Sequence, residues 1–147
     1  MIRVYISYFL TLLSALMVWW IFGLFATASA GYSWVPFSAF LASVMQFGVG
    51  SWLFLSFPKT GKLFSIVMTL IMCIWPVAMI PYSISAKDLF IFVYFLSAIG
   101  FSIGVVLNHI KTFKDKIRLK SSTRFILSII PFGLFILYVV TTYKYFI

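Results

Sequence analysis

Residues 4–58 carry not one formal charge. A run that long without an ion belongs to a chain dissolved in hydrocarbon, and because one helical crossing takes only about 20 apolar residues, two crossings fit inside it. Three further charge-free intervals follow at 63–86, 89–110 and 125–143. Backbone polar groups have no partner in hydrocarbon except one another, so these intervals are read as helices and not as open strands. The whole chain agrees: 64% of its 147 residues are hydrophobic and 9% are charged, against roughly 25% charged in an average soluble domain.

The expectation is an all-α integral membrane protein, one compact bundle covering 1–147, with transmembrane helices at 4–26, 35–57, 63–84, 89–110 and 125–146. Punctuation supports these limits. Ala30, Gly31 and Ser33 separate the first two runs, Pro36 falls where a first helical turn tolerates proline, and Pro58 and Gly61 break the second run from the third. There is no internal repeat, no low-complexity segment and no stretch left for a soluble domain.

Five crossings place the connections alternately on two sides. One side receives Arg3, Lys59, Lys62, Lys111, Lys114, Lys116, Arg118, Lys120 and Arg124, nine of the eleven basic residues, and the other receives the remaining two, Lys87 and Lys144. Lys and Arg collect in short cytoplasmic loops, so the N-terminus is expected in the cytoplasm and the C-terminus outside, in a bacterial cytoplasmic membrane. The loop 111–124 is the main orientation signal. Its Ile110, Phe113 and Ile117 recur at helical spacing, which predicts a short amphipathic extension of the fourth helix on the headgroups. Its six cations are also the expected contact for anionic lipids or a protein partner, since each basic residue near an anionic leaflet adds about 1 kcal/mol. Nucleic acid is excluded, because the loop has no aromatic platform for bases. Ala26 to Gly31 has the small residues of a signal-peptidase site, but the apolar run before it is longer than the roughly 7–15 residues of a signal h-region, so the first segment is expected to be retained.

Chemistry-bearing residues are few. Asp88 and Asp115 are the only acids and both fall in predicted loops, which leaves no paired carboxylates for acid–base work and no carboxylate metal site. Cys73 is the single cysteine, a small buried apolar side chain with no disulfide partner. His109, the only histidine, stands beside Asn108 at the basic end of the fourth helix and is read as interfacial. A serine triad needs a nucleophile elbow that the sequence lacks. No catalytic residue, cofactor or metal is therefore assigned.

What remains is packing. Ser97, Gly100, Gly104 and Asn108 share one face of the fourth helix and contain a GxxxG match, while Ala39, Ser43, Gln46 and Gly50 form a similar stripe on the second. Both stripes allow close helix approach, with Gln46 and Asn108 hydrogen-bonding across helices; packing within the chain is favoured over a homo-oligomer. Pro76, Pro81 and Pro131 should kink their helices. Trp34 and Trp52 suit interfacial belts, whereas Trp19, Trp20 and Trp75 lie deeper and are read as packing aromatics. The functional expectation is a non-enzymatic accessory, regulatory or immunity-type subunit acting through helix packing and the basic loop. The alternatives are a small oligomeric channel or transporter with a polar site around Gln46, and a lipid-modifying enzyme.

Overall fold

The computed structural model describes residues 2–28, 34–115 and 119–146, and among these every regular element is helical. They are α1 (Ile2–Ala28), α2 (Trp34–Met45), a π-helical turn (Gln46–Gly50), α3 (Ser51–Ser56), α4 (Pro58–Ser85), α5 (Leu89–Lys111) and α6 (Ser121–Phe146). The α2, π-turn and α3 segments run on as one rod, so five rods occupy the five predicted spans. Among the described residues three stretches are long and apolar enough to cross a membrane, Ser38–Ser56, Pro58–Ser85 and Leu89–Lys111.

Polarity is distributed inside out. Ser7, Thr11, Ser14, Ser43, Gln46, Ser65, Thr69 and His109 are buried, while Leu63, Val67, Leu70 and Ile74 of α4 and Leu89, Phe90, Val93 and Leu96 of α5 are exposed. A water-soluble domain does the reverse; facing lipid, this arrangement leaves apolar surface where the solvent is apolar and lets polar groups meet one another. The apolar part of the interior is built from Tyr8, Leu12, Ala15, Ala39, Phe47, Phe54, Met72, Trp75 and Phe95. Trp75 meets Phe95 edge to face with centroids 5.7 Å apart, so it packs; the side chains of Trp19, Trp20 and Trp34 lie outside the described residues.

Local sequence explains the corners. Phe57, extended at φ −130° and ψ 81° as a residue before proline must be, turns α3 sharply into α4, and Pro58 supplies the first residue of α4. The corner closes on Gly61, where an added Cβ would stand 2.3 Å from the Phe54 backbone. At the opposite end Lys87 takes a positive φ of 54°, and Asp88 caps α5 by accepting from the Phe90 and Ile91 amides at 3.0 and 3.1 Å. Pro131 removes the N–H that would bond the Leu127 carbonyl one turn earlier in α6. The Tyr8 hydroxyl of α1 donates to that freed carbonyl instead, tying α6 to the bundle.

Three expectations are corrected. The helices after the corners begin earlier than charge alone suggested, α4 at Pro58 and α6 at Ser121, so Lys62 and Arg124 are helical and not loop residues. The fourth helix does not extend along the headgroups: α5 stops at Lys111 and turns through Thr112 to Lys114, because the Thr112 hydroxyl takes the Asn108 carbonyl at 2.8 Å and Lys62 Nζ takes that of Thr112. Gly100 and Gly104 do not receive a neighbouring backbone; both are exposed, and a Cβ on either meets nothing within 4 Å.

The glycines separate cleanly by experiment. Gly61→Ala is expected to lower the thermal midpoint in detergent sharply, whereas Gly100→Ala should leave it unchanged or stabilise by up to about 1 kcal/mol through helix propensity. Equal effects of the two would contradict the corner geometry.

Candidate functional site

Four rods bring their polar side chains to one point near the basic end. His109 of α5 is 0% exposed. Its Nδ1 lies 3.1 Å from Ser7 Oγ of α1, and its Nε2 lies 2.9 Å from Thr11 Oγ1 of α1 and 2.8 Å from Ser65 Oγ of α4. Gln46, the first residue of the π turn, donates from Nε2 to Ser65 Oγ at 2.6 Å, and Asn108 donates from Nδ2 to Ser7 Oγ at 2.9 Å. The ring of Phe54 covers the imidazole at a centroid distance of 5.7 Å.

One hydrogen-bond assignment places the ring proton on Nε2 and satisfies every hydroxyl around it. In it the Thr11 hydroxyl gives its proton to the Ser7 carbonyl at 2.9 Å, and its oxygen accepts from a protonated Nε2. Nδ1 is then the acceptor and takes the Ser7 hydroxyl proton, while the Ser7 oxygen accepts from Asn108. Ser65, 3.4 Å from Thr11 Oγ1, accepts from Gln46 and Nε2 and turns its own proton toward Thr11. One assignment therefore satisfies both ring nitrogens, and no carboxylate hydrogen-bonds the ring among the described residues.

The network has two loose ends. Gln46 Oε1 and Thr69 Oγ1 are buried without a hydrogen-bond partner. Gly50 belongs to the same corner, since a Cβ there would stand 3.0 Å from Gln46 Oε1 and 3.3 Å from Phe64; glycine leaves room for the carboxamide, and the π turn that holds both residues is the kind of helix irregularity often found at functional sites. At the other edge Lys62, 1% exposed, donates from Nζ to the Thr112 carbonyl and, at 3.4 Å, to that of Asp115. An ammonium at the carbonyl end of α5 is favourably placed against the helix dipole.

The basic residues fall outside this network. Lys114 and Arg124, with Lys59 and Asp115, line an open groove of about 590 Å³ beside Ser56 and Thr60. A second groove of about 410 Å³ shares Ser56 and Arg124 and continues along Trp52, Phe125 and Ile129. Lys111 and Lys114 edge a third, near Ile66 and Phe113. Lys120 is exposed at the start of α6, and Lys116 and Arg118 lie outside the described residues. Cys73 borders a small apolar cavity of about 120 Å³ with Thr69 and Ser102.

Of the residues singled out in the sequence, Gln46, Gly50 and Asn108 meet at the network, while Gly100 and Gly104 stand apart. His109, read as interfacial from its place at the basic end of the helix, is enclosed within the bundle by the α1 and α4 hydroxyls. Ser7, Thr11, Ser65 and Lys62 were missed. The available signal was periodic, Ser7–Thr11–Ser14 and Lys62–Ser65–Thr69 each forming a polar stripe along an otherwise apolar helix.

Ser65 is the branch point, because it joins the imidazole to Gln46. Ser65→Ala should destabilise by on the order of 1 kcal/mol, the scale of interhelical hydrogen bonds in membranes. Gln46→Leu should cost less, since it removes an unpartnered carbonyl along with the donor; thermal unfolding of both variants in detergent reads the order, and the reverse order would contradict the network. Family models, curated proteins and solved structures all lack a match to this chain.

Proposed function

We propose that this chain is a non-enzymatic multi-pass subunit of a bacterial cytoplasmic membrane, with an accessory, regulatory or immunity-type role. In this reading α1 and α6 complete five crossings, the N-terminus and the loop 111–124 face the cytoplasm, and the C-terminus lies outside, an orientation supported by the nine-to-two distribution of basic residues. The bundle acts as a rigid holder that presents a basic cytoplasmic rim to a protein or lipid partner.

The observation that carries this reading is the contrast between a sealed interior and an open rim. The imidazole–hydroxyl network is shielded from solvent, with His109, Gln46, Thr11 and Ser65 all at 0% exposure, and so works as a lock between helices. The groove of about 590 Å³ opens instead among Lys59, Lys114 and Arg124, and it shares Arg124 with the groove beside it. A lipid-modifying enzyme gains no support from a histidine so enclosed.

One observation favours a second reading. Gln46 Oε1 and Thr69 Oγ1 are buried and unpartnered, and the hydrogen-bonded line from Asn108 and Ser7 through His109 and Ser65 ends at Gln46, a polar path that suits a small homo-oligomeric channel or transporter.

Replacing Lys111, Lys114, Lys116, Arg118, Lys120 and Arg124 by Gln should abolish co-isolation of a partner polypeptide from mildly solubilised native membranes while topology is kept; retained association with kept topology would defeat the first reading. Proton flux into liposomes holding the wild-type chain, lost in Gln46→Leu, would favour the second, and its absence would remove it.

A further inference from the structure

We propose that the two adjoining grooves at the basic end form one site for a single anionic phospholipid. The phosphate headgroup is held by Lys59, Lys114 and Arg124, and an acyl chain lies along Trp52, Phe125 and Ile129.

The lining separates by chemistry. The larger groove, about 590 Å³, places Lys59, Lys114 and Arg124 around the hydroxyl-bearing Ser56 and Thr60, with Asp115 as the single carboxylate. Three cations against one anion leave a net positive pocket within the roughly 300–1,000 Å³ range of ligand sites. Its neighbour adds an apolar side to Ser56, Ser121, Arg124 and Ser128, with Trp52, Phe125 and Ile129 at 48%, 68% and 50% exposure. Ser56 and Arg124 belong to both, so the two are continuous and an amphiphile can occupy them together.

The direction of the gradient fits a lipid. Along α6 the shared face runs Ser121, Arg124, Phe125, Ser128, Ile129, at helical intervals of three and four, and passes from hydroxyl and cation at the basic end to bulky apolar groups further into the span. A headgroup at Arg124 therefore sends its chain toward Ile129, down the depth of a bilayer. The Arg124 side chain is oriented by Nε, which donates to the Leu119 carbonyl at 3.1 Å, and a held guanidinium is the usual partner of phosphate oxygens.

Helix electrostatics point the same way. Lys59 and Arg124 sit in the first turns of α4 and α6, and neither helix has an acidic residue there. Cations beside positive helix ends repel, and this local conflict is relieved by an anion received between them. Free phosphate shares the headgroup chemistry but does not use the apolar half of the site. From the proposed function the inference takes only the placement of the basic end at a leaflet.

Native mass spectrometry of the full-length chain in detergent tests it, with phosphatidylglycerol and phosphatidylcholine of equal chain length as competing probes. Wild type should retain phosphatidylglycerol preferentially, and the triple variant Lys59→Gln, Lys114→Gln, Arg124→Gln should lose at least tenfold of that preference, from about fivefold per cation. The charge-matched control Arg3→Gln, Lys87→Gln, Lys144→Gln should keep it, and unchanged thermal melting confirms folding of each. Equal loss in the control would reduce the effect to diffuse charge and overturn the site. Displacement by soluble glycerol phosphate at the same concentration would make the ligand a phosphate anion and overturn the lipid. Because the readout needs no protein partner, it fails or succeeds independently of partner co-isolation.

Discussion

Hydrocarbon offers no hydrogen bonds, and the inside-out polarity of this structure is the arrangement that such a solvent favours. Polar groups on helices this apolar find most of their partners inside the protein, so the imidazole, Gln46 and the hydroxyls of Ser7, Thr11 and Ser65 turn inward while leucine, isoleucine and phenylalanine cover much of the outside. Even the backbone obeys. Where Pro131 leaves the Leu127 carbonyl without its helical donor, a tyrosine hydroxyl from another helix supplies one. Association between helices is then a matter of polar matching and fit, because apolar surface gains little by leaving lipid.

His109 shows how such matching yields a single arrangement. Its two nitrogens need one donor and one acceptor, and each neighbouring hydroxyl has one proton to give. With the Thr11 proton given to its own helix, the assignment runs through the ring to Ser7 and Asn108 on one side and to Ser65 and Gln46 on the other. A sliding or rotation of α1, α4 or α5 breaks more than one of these bonds, and a shift of the π turn breaks the Gln46–Ser65 bond. Lys62 extends the lock to the end of α5 by occupying a terminal carbonyl, which stops the helix just before the basic loop. The interior thus determines where the basic rim begins.

The sequence revealed the helical rods and their order because charge-free intervals are set by the same solvent constraint that shapes the bundle. It misplaced the starts of α4 and α6 because a charge was taken as a boundary, whereas Lys62 folds back onto α5 and Arg124 reaches the Leu119 carbonyl, both from within helices. Gln46 and Asn108 were legible as interior polar residues, being too polar to face lipid. Ser7, Thr11 and Ser65 were not, because serine and threonine in apolar helices often bond only to their own backbone. The π turn leaves no clear signal beyond the glycines at 48 and 50. The GxxxG match at Gly100 misled because spacing alone does not say which face of a helix meets a neighbour.

The most direct measurement is the nitrogen-15 NMR signature of the imidazole, which belongs to a single residue because the chain has one histidine. The account predicts, in lipid bicelles near neutral pH, a neutral ring protonated at Nε2 whose N–H proton exchanges slowly with water. A ring protonated at Nδ1, or an N–H that exchanges as fast as that of a solvated histidine, would contradict the closed network on which the rest of the account is built.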